Sequence, residues 1–149
     1  MNILFVCTGN TCRSAMAAAI MNKIAVDNDL DIRIESAGIF AEEGQRASEN
    51  AVKALEKYGI DLKDHRAKPL TEDLINSADV ILVMTQAHKQ ILEPLASGKT
   101  YTLLEYISSD GDIYDPYGGD LEEYEKCAQE IYDALVDVAE KIADVREND

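Results

Sequence analysis

Cysteine and arginine bracket five residues in the run Val6-Cys7-Thr8-Gly9-Asn10-Thr11-Cys12-Arg13-Ser14, and that pairing could do phosphoryl chemistry. The thiol of Cys7 supplies a nucleophile. The Arg13 guanidinium is a planar fork that matches two phosphate oxygens, where a lysine would offer only a point charge. Between them, the amides from Thr8 to Arg13 can converge on one anion. At a helix N-terminus the orphan N–H groups and the macrodipole both favour negative charge, so the same donors that bind phosphate also stabilise a thiolate. Gly9 permits a positive φ and close approach of the backbone to a ligand. Taken singly, Cys7 reads as an inert core thiol and Arg13 as a surface charge; their spacing and placement favour chemistry.

A thiolate can take a phosphoryl group only if the departing group receives a proton. Asp115 is the candidate donor, in Asp112-Ile113-Tyr114-Asp115-Pro116-Tyr117-Gly118-Gly119. Pro116 biases Asp115 away from helix and the glycines keep the segment a loop. In a second step the same carboxylate would deprotonate a water that attacks the cysteinyl-phosphate. Asp112 is its rival, and both could simply shape a turn.

The surrounding sequence must bring these two segments together. Ile3 to Val6 and Val80 to Met84 are continuous apolar runs, expected of central parallel strands covered on both faces. Ile32 to Glu35 and Tyr101 to Leu103 alternate more and are expected at the sheet edges. Helical patterns cover Ser14 to Val26, Ser48 to Tyr58, Thr71 to Asn76, Ala87 to Leu95 and Leu121 to Val145. The last carries apolar residues from Leu121 through Tyr124, Ala128, Ile131, Leu135, Val138 and Ile142 to Val145, opened by Asp120 and Glu123 as a capping box. That stripe suits packing on the sheet better than an interchain coiled coil. The acidic last turn, Glu147 to Asp149, is expected to fray. Strand and helix alternate, which predicts an α/β fold: one doubly wound domain over residues 1–149, with a four-stranded parallel sheet in the order 2-1-3-4 and helices on both faces. Ligands in such folds bind at the carboxyl end of the strands, where the order reverses, and the Cys7 loop falls there.

Composition sets the remaining bounds. Fourteen basic against 29 acidic residues give a formal charge of −15, which disfavours nucleic acid and anionic membrane as partners. No apolar run is long enough to span a bilayer, and no secretory or lipidation signal is evident. Three cysteines, two of them in one tight loop, are not a disulfide framework. The chain is expected in the cytoplasm as a monomer, with no cofactor and no metal, since neither histidine has clustered ligand partners.

Taken with the order and distance of the two motifs, the sequence resembles the low-molecular-weight protein tyrosine phosphatase family along essentially its whole length, including Ser36-Ala37-Gly38. That resemblance implies Cys7 as nucleophile, Arg13 as phosphate clamp and Asp115 as general acid and base. It implies Thr8, Gly9, Asn10, Thr11, Cys12, Arg13 and Ser14 as the phosphate-binding loop. Ser14 would hydrogen-bond the thiolate, and Asn10, Ser36 and His65 would hold the loop in shape. His88 has no matching role and reads as an exposed helix residue. Many members carry Pro and then Met-Ala-Glu after the loop serine; here Ser14 is followed by Ala15-Met16-Ala17-Ala18. Ala15 keeps helix propensity but loses the fixed φ of a first-turn proline, which should alter loop stability rather than chemistry.

Thr11 bears on the substrate. The tyrosine-directed branch usually has a bulky apolar residue there, whereas Thr11 and Asp115-Pro116-Tyr117-Gly118-Gly119 resemble the bacterial protein-arginine phosphatases. A small hydroxyl leaves room and polarity for a phosphoguanidinium, with Phe40 and Tyr117 as pocket walls. The expected substrate is therefore protein phosphoarginine, with phosphotyrosine as the alternative and a cysteine phosphocarrier of a sugar-uptake system as a more distant one. A carrier needs no general acid. Arsenate reductases of this fold need further cysteines past mid-chain, and Val80 to Leu95 contains none. Cys12 is a candidate partner for a protective disulfide with Cys7 under peroxide; Cys127 is expected near the core.

Overall fold

The computed structural model describes residues 1–148, the last three as helix backbone only. Four strands, β1 (Asn2–Cys7), β2 (Arg33–Gly38), β3 (Val80–Val83) and β4 (Thr100–Thr102), form one parallel sheet in the order β2-β1-β3-β4. Six helices join them: α1 (Arg13–Asp27), α2 (Glu49–Glu56), α3 (Glu72–Ser77), α4 (Gln86–Leu92), α5 (Leu103–Tyr106) and α6 (Leu121–Asn148). The two continuous apolar runs are the central strands, and the alternating ones are the edges, as their patterning predicts.

Side chains alternate across a strand, so β1 feeds two cores. Ile3 and Phe5 pack with Met16 and Ile20 of α1, Leu55 of α2, and Ile131 and Leu135 of α6. Leu4 and Val6 face the other way, with Ile81, Val83, Ile75 of α3 and Leu92 of α4. The stripe of α6 is buried from Tyr124 to Ile142, while Leu121 and Val145 at its ends stay exposed. It packs against α1 and α2 within the same chain, and Glu123 N–H donates to Asp120 Oδ1 at 3.0 Å, which secures its start. The last turn, expected to fray, is helical as far as Asn148; Asp149 lies outside the described residues.

Helix starts follow from their caps. Ser48, Thr71 and Thr85 each accept a backbone N–H from the first turn of α2, α3 and α4. Several boundaries depart from the sequence reading: α4 stops at Leu92 rather than Leu95, α2 at Glu56 rather than Tyr58, and two changes affect the sheet. The second strand runs on to Gly38, because β1 continues to pair with it through Cys7. Leu103 leaves the sheet for α5, a short helix opened by the reciprocal capping box of Thr102 and Glu105. No helix among the described residues is long and apolar enough to cross a membrane.

Candidate active site

Residues 8–12 turn from the carboxyl end of β1 into α1, at the point where strand order reverses. Cys12 caps α1 with no side-chain bond, and its first turn holds no carboxylate. The helix therefore presents its free N–H groups and positive dipole end to this loop without an internal anion to compete. Cys7 Sγ lies 2.8 Å from Ser14 Oγ. Asn10 Nδ2 donates to Ser14 Oγ at 2.8 Å, so the serine's own proton is free to turn toward the cysteine sulfur.

Asn10 organises the loop from the inside. It is wholly buried, and it alone in the loop takes a left-handed conformation, φ 57°. Its Nδ2 also donates to Ser36 Oγ at 3.0 Å, and its Oδ1 accepts the Lys68 N–H at 3.1 Å. Its carbonyl accepts from His65 Nε2 at 2.6 Å. Burial lowers the pKa of His65, partly offset by that bond and reinforced by Arg66 and Lys68, so the ring favours its neutral form. Gly38 is required here by close approach: a Cβ would fall 2.6 Å from Thr8 O and 2.9 Å from Asn10 N.

The candidate acid, Asp115, arrives from a segment far along the chain. Ile113, fully buried, donates its N–H to Met84 O at 2.8 Å and so pins the segment to the end of β3. Arg13, only 4 % exposed, donates from Nη1 to Ile113 O at 2.9 Å, while its Nη2 lies 3.5 Å from Asp115 Oδ2. The Asp115 carboxylate accepts the Tyr117 N–H at 3.0 Å. Asp112 is engaged elsewhere, accepting the Gln86 N–H at 2.9 Å. A cavity of about 310 Å³ opens over the loop, lined by Cys7, Thr11, Arg13, Gln45, Asp115 and Tyr117 among others. A thiol, a buried cationic fork, a helix N-terminus and a half-exposed carboxyl thus share one concavity, which is equipment suited to phosphoryl transfer through a covalent intermediate.

The sequence profile of the low molecular weight phosphotyrosine protein phosphatases matches residues 2–148. The chain belongs to this family. It is 42 % identical over 146 residues, 95 % of this chain and 97 % of the other, to the protein-arginine-phosphatase of Bacillus subtilis strain 168. It is 39 % identical over 139 residues to the low molecular weight protein-tyrosine-phosphatase PtpB of Staphylococcus epidermidis, covering 92 % of this chain and 95 % of that one. Among solved structures, the YwlE arginine phosphatase mutant with a phosphorylated active-site serine superimposes with a TM-score of 0.95 at 40 % identity, over the full length of both chains. The Vibrio vulnificus Wzb phosphatase bound to benzylphosphonate gives 0.85 at 32 % identity, over 94 % of this chain and 97 % of that one.

The fold brings Cys7, Thr11, Arg13, Asp115 and Tyr117 to one cavity, and links Asn10, Ser14, Ser36 and the half-buried His65 in one hydrogen-bonded network. Three expectations shift. Gly9, which would permit a positive φ, does not take one; Asn10 does, with its side chain bonded to the Ser14 and Ser36 hydroxyls and to the Lys68 N–H. Phe40 is 78 % exposed and outside the cavity lining, although its N–H binds Thr8 O at 2.9 Å; Gln45 lines the cavity instead. His88, read as an exposed helix residue, is buried, with Nε2 2.9 Å from Thr8 Oγ1. Cys12 contacts the Tyr124 hydroxyl at 3.4 Å and Ser48 Oγ at 3.5 Å. Burial foremost, then the bond to Cys12, pushes the Tyr124 phenol up to about 12. Cys127 is a core thiol, raised to about 12 by burial.

Proposed function

We propose that this phosphatase hydrolyses phosphoarginine on proteins through a cysteinyl-phosphate. The observation that carries the reading is Thr11 in the cavity lining, between the nucleophile and Arg13. A hydroxyl there suits a polar phosphoguanidinium, where an apolar side chain would suit a phenyl ring. The protein-arginine-phosphatase relatives support the same choice.

In the first step the Cys7 thiolate forms an S–P bond as the P–N bond breaks, and Asp115 gives its proton to the departing nitrogen. Arg13 and the loop amides hold the equatorial oxygens as charge redistributes. In the second step Asp115 takes a proton from water, the water oxygen attacks phosphorus, and the S–P bond breaks to release inorganic phosphate. Ser14 donates to the sulfur as it leaves, with Asn10, Ser36 and His65 holding that serine in place. One chain supplies every residue this mechanism uses, so a monomer suffices for it. Its three free cysteines suit the reducing cytoplasm. Under peroxide, a Cys7 sulfenic acid would condense with the Cys12 thiol, giving a disulfide and water; a mass spectrum showing only sulfinic or sulfonic Cys7 would refute this.

Rapid quenching during turnover of a phosphoarginine peptide, followed by mass spectrometry, tests the mechanism. A transient phosphoryl group on Cys7, with inorganic phosphate as the final product, is expected. A phosphoenzyme that persists without releasing phosphate would identify a carrier instead.

A further inference from the structure

His88 is a buried histidine that the chemistry above does not use. It lies in the first turn of α4 and is 7 % exposed. Its N–H is held by Thr85 Oγ1 at 3.1 Å, and its Nε2 reaches Thr8 Oγ1 across 80 residues of sequence. Its Nδ1 is buried with no hydrogen-bond partner among the described residues. An orphaned buried N–H is rarer than an unpaired acceptor, so the proton belongs on Nε2. His88 therefore donates and Thr8 accepts. Burial first, and then the Arg13 guanidinium, lower the pKa of the imidazole against the opposing pull of Asp115 and Asp112, which favours this neutral tautomer.

With one lone pair occupied, the Thr8 hydroxyl keeps one proton and one lone pair for other partners. Thr8 lines the cavity with Cys7, Arg13 and Asp115. The hydroxyl and the proposed acid therefore share the space that a departing group must occupy.

Resting on the phosphoarginine reading, we propose that Thr8, held by His88, is a further specificity-determining residue whose free lone pair accepts an N–H of the phosphorylated guanidinium. A phenyl ester offers no such donor. His88 acts through Thr8 and is a positioning residue.

The test compares kcat/KM on a phosphoarginine and a phosphotyrosine peptide for wild type, Thr8→Val, Thr8→Ser, His88→Leu and the Thr8→Val/His88→Leu pair. The ratio of the two substrates falls about tenfold in Thr8→Val and comparably in His88→Leu, a loss typical of one hydrogen bond. Thr8→Ser restores it, and the double variant falls no further than Thr8→Val alone. A general disturbance of the loop would lower both substrates together. An unchanged ratio in Thr8→Val overturns the proposal, as does a His88→Leu effect that persists in full without the Thr8 hydroxyl. Where His88→Leu does not fold, Thr8→Val against Thr8→Ser decides. The wild-type ratio reports on the phosphoarginine reading itself, so the failure of one is distinguishable from failure of the other.

Discussion

Asn10 and Asp115 belong to the two halves of the cavity, and they are held in opposite ways. Asn10 is wholly buried, and its side chain bonds to Ser14, Ser36 and the Lys68 backbone. Asp115 has 49 % of its side chain in solvent and is tied down by Arg13 and a turn. In the proposed mechanism, the half that would bind phosphate is held by internal hydrogen bonds closed to water. The half that would move protons is open, so it can exchange them with solvent. Stability and activity should therefore separate between the two halves.

Arg13→Lys should show the largest loss of activity. A lysine cannot reproduce two parallel bonds to phosphate oxygens while also reaching Ile113 O, and kcat/KM should fall about 10³-fold. Asp115→Asn should lower kcat by about 10²-fold, the lower range for a lost general acid. As an exposed residue it should leave the urea midpoint nearly unchanged, within about 0.5 kcal/mol. Asn10→Ala should invert that pattern. It leaves the Lys68 N–H and two serine hydroxyls short of a partner and puts alanine, without the short polar side chain that eases the left-handed region, at φ 57°, so unfolding free energy should drop by about 3 kcal/mol. Comparable destabilisation by Asp115→Asn would break the contrast.

A smaller effect comes from pH. His65 and His88 both have pKa values below the ordinary 6.5, owing first to burial. Each binds a proton more readily in the unfolded chain, so their contribution to stability is full above 6.5 and is lost as pH falls toward their folded values. Urea midpoints measured between neutral and mildly acidic pH should decline. His65→Gln should flatten that slope; a midpoint that rises on acidification would contradict the assignment of neutral rings.

Much of this was legible in the sequence because it is local. The interval from Cys7 to Arg13, the proline after Asp115 and the contrast between continuous and alternating apolar runs carry the loop, the acid and the sheet order. Asn10 rather than Gly9 takes the left-handed bend, and its side chain there bonds Ser14, Ser36 and the Lys68 N–H, partners that lie up to 58 positions away. His88 was hidden for a different reason. Its partner Thr8 is 80 positions away, and only the packing of α4 beside the first loop buries the ring. Gln45 is likewise brought to the cavity by a loop without a pattern of its own. The short helix α5 did leave a signal, the Thr102 and Glu105 capping pair, beside apolar residues that also suit a strand.

The most direct measurement is phosphate release from a phosphoarginine and a phosphotyrosine peptide in parallel, with Cys7→Ala as the blank and Thr11→Ile as the probe of the pocket. The account predicts that the wild-type protein favours phosphoarginine and that Thr11→Ile loses or inverts this preference. Wild-type preference for phosphotyrosine, or a Thr11→Ile variant with the wild-type ratio, would contradict it.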